Sequence, residues 1–172
     1  MPLSDTKKVA AIIADSGGRV VGRTRLQKIA YLLTVTGMED GLTFAYKHYG
    51  PYSEDLASAA RLGDLLGDLD EVEHPTSWGG SYSVFTAQPP AGAVVDNHRR
   101  QFATTAANSD AVELELAATA VFLAREGFED PWGETARRKP EKAEPDRLNR
   151  AKDLLRALSQ IPTPQLLPAI VD

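Results

Sequence analysis

Apolar positions along this chain recur mostly at helical spacing. Val9, Ile12 and Ile13 form a short stripe that predicts a helix over 4–15, begun by Ser4 or Asp5 and stopped by Ser16-Gly17-Gly18. Val20 and Val21 follow as a brief extended piece. Leu26, Ile29, Ala30 and Leu33 fall at i, i+3, i+4 and i+7 and predict a second helix over 24–36, closed by Gly37. Thr24-Arg25-Leu26-Gln27 reads as its capping box, with the Thr hydroxyl on the Gln27 amide and the Gln side chain reaching back. Arg25, Lys28 and Leu32 lie on a neighbouring stripe. A third helix is expected over 53–66, with Ser53 as N-cap and Glu54 and Asp55 in its first turn. Its stripe of Leu56, Ala59, Ala60 and Gly63 is continued by Leu62, Leu65, Leu66 and Leu69. Two strands then flank Trp78-Gly79-Gly80, which predicts a hairpin over 69–86.

Beyond the linker-like Gln88-Pro89-Pro90-Ala91-Gly92 the pattern is helical only. A moderately amphipathic helix is expected over 94–107. The run from Asp110 to Glu126 is apolar nearly all round from Leu114 to Ala124, which predicts a buried central helix, capped by Asp110 and stopped by Gly127. A short helix over 131–138 and a last one begun near Pro145, with Leu148, Ala151, Leu155 and Leu158 on one face, complete the set. Pro162, Pro164 and Pro168 argue against helix in the tail. The fold class is therefore mainly α with a small β-hairpin. Residues 1–87 have the order of a winged helix, residues 93–160 form a helical bundle packed on it, and 161–172 are a Pro-rich tail.

One stretch departs from helical spacing. Phe44-Ala45-Tyr46-Lys47-His48-Tyr49-Gly50-Pro51-Tyr52-Ser53 is aromatic and extended, with a turn forced at Gly50-Pro51. His48, Ser53 and Asp55 could be drawn as base, nucleophile and orienter. Ser53, however, stands where a helix cap is wanted, and no nucleophile elbow or oxyanion turn accompanies it. His48, His74 and His98 are far apart in sequence and no cysteine joins them, so no metal site is expected. Ser16-Gly17-Gly18-Arg19 lacks the remainder of a phosphate-binding loop. The expectation is a non-enzymatic protein without a cofactor.

Charge narrows the choice of partner. The net charge is −5, and residues 53–75 carry one basic and seven acidic side chains. In a winged helix the third helix would enter the DNA major groove, but here it and its flank carry Arg61 against Glu54, Asp55, Asp64, Asp68, Asp70 and Glu71. Arg19, Arg23, Arg25 and Lys28 make a basic patch, read as a solvated helix face. A winged-helix DNA-binding regulator is thus the alternative, and a protein-binding module the first reading. Candidate contact residues are Arg25, Lys28, Tyr46, His48, Tyr49 and Tyr52, of hot-spot chemistry, and Asp64, Asp68, Asp70 and Trp78 on the acidic helix and hairpin. A basic protein is the expected partner, with a second copy of the chain as a further candidate. No apolar run reaches the roughly 18 residues of a membrane span, the first eight residues lack a signal-peptide core, and a cytosolic setting is expected.

Two motifs carry a family resemblance. Leu26-Gln27-Lys28 with Tyr31, then Gly50-Pro51-Tyr52-Ser53, resemble the Panacea antitoxin domain, and are closest to its branch with the Leu-Gln-Lys and Gly-Pro-Tyr-Ser signature. Leu114-Glu115-Leu116-Ala117-Ala118-Thr119, Lys139-Pro140 and Ala151-Lys152-Asp153-Leu154-Leu155 are similar to the same branch, so the resemblance covers roughly residues 4–160. It implies a small helical bacterial or phage-associated protein that neutralises a toxin by direct contact. It also implies that the motif residues define the fold.

Overall fold

Seven helices and two small antiparallel sheets are described between residues 4 and 171 of the computed structural model. Residues 1–3 and 172, at the ends of the expected first unit and tail, lie outside the described residues. In order they are α1 (Asp5–Asp15), β1 (Arg19–Val21), α2 (Arg23–Val35), β2 (Ala45–Lys47), β3 (Gly50–Tyr52), α3 (Glu54–Leu66), β4 (Asp70–Pro75) and β5 (Ser81–Thr86). The bundle helices α4 (Asn97–Ala107), α5 (Ala111–Arg125), α6 (Pro131–Arg138) and α7 (Pro145–Ser159) follow. The molecule is mainly helical with a small β component. None of the described helices is long and apolar enough to cross a membrane.

The extended piece at Val20–Val21 proves to be a strand. It pairs with β5 (Val20 opposite Phe85), and β5 pairs with β4, giving the order β1-β5-β4. Phe85 and Val20 face the apolar core. This is the helix, strand, helix, helix, hairpin order of a winged helix, with the β2–β3 hairpin inserted between α2 and α3.

Three local expectations need correction. The helix expected over 24–36 starts one residue earlier, with Gly22 (φ 97°) in the N-cap position, so Thr24 lies within α2 and the capping box does not form. The Gln27 side chain is spent elsewhere. The helix expected over 94–107 starts at Asn97, because the Asp96 carboxylate accepts the Arg99 amide and caps it there, and Val94 and Val95 stay exposed before it. On α3, Leu56, Ala59, Ala60 and Gly63 are buried as the stripe predicts, and so is Leu69 just beyond. Leu62, Leu65 and Leu66 are exposed.

Central burial falls on α5. It packs against α2, α6, α7 and β3, with Leu114, Leu116, Val121 and Leu123 buried. Each such side chain contributes about 1.5–3 kcal/mol of transfer free energy. The bundle is packed on the winged part, as α4 lies on α1 and α2, and one apolar cluster runs through both from Val9 to Ile161. The tail is not helical. Ile161 is buried, Leu167 and Ile170 pack on the core, and the Gln165 amide donates to the Thr36 carbonyl at the end of α2 (2.9 Å).

A polar knot joins the two parts at one end. Arg99 of α4 donates to Asp15 at the end of α1 (2.6 Å), to Glu39 after α2 (3.0 Å) and to the Met38 carbonyl. Arg99 and Glu39 are largely buried. Removing the cation strands a carboxylate in a poorly hydrated place, so Arg99→Ala is expected to lower stability by about 2–4 kcal/mol in urea titrations. Arg100→Ala, which loses a looser and more exposed contact to Asp15 (3.9 Å), is expected to cost at most about 0.5 kcal/mol.

Candidate functional site

The aromatic stretch folds as a tight hairpin. Tyr46 of β2 stands opposite Pro51 of β3, and the turn falls at His48 and Tyr49 rather than at the expected Gly50-Pro51, which belongs to β3. Gly50 has φ 95°, and a Cβ there would lie 2.5 Å from the buried Thr119 Oγ1 of α5, so both conformation and space require glycine. Pro51 has no N–H, and β3 has a strand neighbour on one side only.

The other side of β3 is satisfied by two consecutive side chains of α2. Gln27 Nε2 donates to the Ser53 carbonyl (2.9 Å) and Gln27 Oε1 accepts the Ser53 amide (2.8 Å). This is the pair of bonds an adjacent strand would make. Lys28 Nζ donates to the Pro51 carbonyl (2.8 Å). Gln27, Lys28, Pro51 and Ser53 are all buried. Ser53 Oγ in turn accepts the Leu56 amide (3.1 Å) and caps α3, as expected from the sequence.

The bundle grips the same hairpin from the far side. Lys139, which closes α6, donates to the His48 carbonyl (3.0 Å) and pairs with Glu115 of α5 (3.1 Å). Lys142 donates to both Glu115 oxygens (3.1 and 2.9 Å) and sits 4.7 Å from the centre of the Tyr49 ring. Glu115 and Lys139 are 3% exposed, and Lys28 is 1% exposed. Burial, opposed by the Glu115 charge and reinforced by Lys139 and Lys142, brings the Lys28 ammonium down to about 7. Aromatic packing completes the mount. Phe122 lies against Tyr31 and Tyr46, Tyr31 meets Phe44 edge-on, and the Arg138 guanidinium covers the Tyr46 ring at 4.8 Å. Burial also pushes the Tyr31 hydroxyl well above its ordinary range.

The motif residues Leu26, Gln27, Lys28, Tyr31, Gly50, Pro51 and Ser53 thus meet at one buried place, with Tyr52 half-exposed at its edge. The candidate contact residues divide. Lys28 is inside, which overturns its placing on a solvated face, because its ammonium is needed at the Pro51 carbonyl. Arg25 is half-buried and donates to the Val21 and Ser109 carbonyls (2.6 and 3.1 Å), and Arg23 pairs with Glu71 and Glu73. Of the expected basic patch, Arg19 remains as an exposed cation. Tyr46 is half-buried, while His48 and Tyr49 are exposed. Ser53 is buried at the helix cap and Asp55 accepts from Thr43 (2.9 Å), so no triad is assembled with His48. His74 stacks on Tyr82 within the wing.

On the acidic side, Asp64 accepts the Glu71 amide (3.0 Å), Asp68 accepts from Thr6 (2.8 Å) and lies 3.9 Å from the Lys7 ammonium, and Asp70 is exposed, as is Trp78 at the hairpin tip. Leu62, Leu65 and Leu66 are 49%, 81% and 62% exposed among these carboxylates. Leu62, Leu66 and Ala59 line an open groove of about 490 Å³ against the start of α1, with Asp5, Asp55 and Asp68 along it. Sequence reasoning did not single out Glu115, Lys139 or Lys142 as site residues. The signal for the first was present, as the one carboxylate within the apolar run from Leu114 to Ala124. Compared with protein-family models and with curated protein sequences, the chain matches none.

Two outcomes test this mounting. Gln27→Leu keeps the size of the side chain but leaves the Ser53 amide and carbonyl buried without partners, and is expected to cost about 2–4 kcal/mol in chemical denaturation. Lys28 gives a pH dependence. Its folded value of about 7 lies below the ordinary 10.5, so between these values the unfolded chain holds a proton that the folded chain has released. Stability from this group therefore rises with pH across that window, and its burial penalty is complete below about pH 7. Wild type is expected to gain stability relative to Lys28→Met between these limits in paired urea titrations. Parallel profiles would refute the assignment.

Proposed function

We propose that this protein is a non-enzymatic interaction module of the antitoxin type, which covers a basic surface of a partner protein with the acidic, leucine-bearing face of α3 and the adjacent wing. The observation that carries the reading is the exposure of Leu62, Leu65 and Leu66 together on one helix, bordered by Asp55, Asp64, Asp68 and Asp70. Three leucines left in water forgo about 1.5–3 kcal/mol each, which a docked partner would recover. The carboxylate border supplies steering and selects a cationic partner, such as a nucleic-acid-targeting toxin.

The resemblance to the Panacea domain supports the same reading, and so does the inward use of its motif. Gln27, Lys28 and Ser53 are consumed in mounting β3, so a partner surface has to be made of other residues. The alternative of a winged-helix DNA-binding regulator would need cations on α3, which offers Arg61 among outward carboxylates. The proposed encounter is cytosolic, in keeping with a sequence that contains no cysteine.

Affinity capture from the source organism, followed by identification of the retained protein, tests the proposal. The tagged wild type is expected to retain a basic protein at about 50 mM salt and to release it near 500 mM, where the Debye length has fallen to a few ångströms. Leu62→Ser, Leu65→Ser and Leu66→Ser combined should abolish retention without altering the circular dichroism. Asp64→Asn, Asp68→Asn and Asp70→Asn combined, which keep the acceptor oxygens, should weaken it at least about tenfold. Equal capture by wild type and both variants, or retardation of random duplex DNA at low salt, would overturn it.

A further inference from the structure

A second cavity lies on the other flank of α3. It measures about 260 Å³ and opens between the start of α2, β3, α3 and the wing sheet. Its depth is apolar. Leu26, Leu56 and Phe85 are buried there, with Ala57 and Ala60 of α3 keeping one wall low. Tyr49, which is exposed, and Tyr52, which is half-buried, stand at its edge. An apolar cavity of about 150 Å³ is enough to hold benzene, so this one has room for a six-membered ring and a polar substituent.

The charged groups of the lining are unbalanced. Of Arg23, Lys28 and Arg61, Arg23 is spent on Glu71 and Glu73 and Lys28 on the Pro51 carbonyl, which leaves Arg61. Glu71 is engaged through one oxygen, its Oε2 accepting from Arg23 Nε (3.1 Å), Arg23 Nη2 (2.9 Å) and Ser83 Oγ (2.6 Å). Arg61 is exposed at the mouth and has no hydrogen bond or ion pair among the described residues. A guanidinium without a carboxylate, beside an apolar cavity with aromatic edges, is a fork for a planar anion.

We propose that this cavity binds a small aromatic carboxylate, with its ring among Leu56, Ala60 and Phe85 and its carboxylate on Arg61. The inference is independent of the partner face, since Leu62, Leu65 and Leu66 do not line this cavity.

Phenylacetate is the probe, with benzyl alcohol and phenethylamine as neutral and cationic counterparts of similar size, each titrated into the full chain and followed by amide chemical shifts. Saturable shifts centred on Tyr52, Ala57 and Arg61 are expected with phenylacetate. Arg61→Gln should weaken phenylacetate about fivefold, the value of one partly exposed ionic contact, while leaving benzyl alcohol unchanged. Ala57→Phe, at a half-exposed position on the wall, should fill the cavity and remove both responses. Absence of saturable shifts would overturn the proposal, as would equal or tighter binding of benzyl alcohol or phenethylamine. Binding of a short peptide ending in phenylalanine, but not of phenylacetate, would also overturn it and give the cavity to a partner chain.

Discussion

The exchange of two hydrogen bonds between the Gln27 amide and the Ser53 backbone, with Lys28 on the neighbouring carbonyl, is the contact on which the rest of the architecture depends. The β2–β3 hairpin is inserted between α2 and α3 and belongs to neither the wing sheet nor the bundle. One edge of β3 is paired with β2, and the other turns inward. Each buried amide or carbonyl left unpaired there would cost about 1–3 kcal/mol. Three such groups are met by two successive side chains on one turn of α2. Because Ser53 is also the N-cap of α3, the same bonds fix where α3 starts. The direction of α3 then decides which residues meet α1, which line the cavity and which stay in water.

The buried charges act as a second lock, from the bundle. A carboxylate at Glu115 inside the central helix is expensive to desolvate, and pairing with Lys139 and Lys142 offsets that expense. What the arrangement adds is position. Lys139 spans from Glu115 to the His48 carbonyl, so the end of α6 and the hairpin turn are held in one register. Lys28 is the odd member, buried beside the same carboxylate but bonded to a carbonyl, since both Glu115 oxygens are already engaged. Its lowered proton affinity follows from burial, which the Glu115 charge only partly offsets and Lys139 and Lys142 reinforce. Apolar contacts alone would let the two parts slide, whereas directional bonds to backbone carbonyls hold them.

The helices were legible in the sequence because their stripes are local: Leu26 through Leu33, Leu148 through Leu158 and the apolar run of α5 each follow from spacing alone. The same local reading misplaced Gln27. Thr24 and Gln27 have capping-box spacing, but Gly22, with its positive φ, takes the N-cap position and frees the glutamine for a partner 26 residues away. Lys28 was misplaced for the same reason, as a cation on a helix stripe reads as solvated until a buried carbonyl from another element faces it. Leu62, Leu65 and Leu66 fooled the stripe in the opposite direction. Periodicity shows which residues share a face, and only the packing of α1 on α3 decides which face is covered. The two motifs were legible as sequence, but not that Gln27 and Lys28 of the first bond to the backbone of the second.

A consequence for where function resides follows from this use of α3. The helix has three faces with three environments. Leu56, Ala59 and Gly63 close on the core, Ala57, Ala60 and Arg61 border the cavity, and Leu62, Leu65 and Leu66 look outward among carboxylates. The motif governs the start of this helix and little of what its outer faces present. The Leu-Gln-Lys and Gly-Pro-Tyr-Ser pair therefore accounts for the mounting of α3, and leaves the outward residues open to change without disturbing the clasp. Under the proposed reading, specificity should track exposed positions such as Arg61, Leu62 and Leu65 rather than the buried residues of the motif.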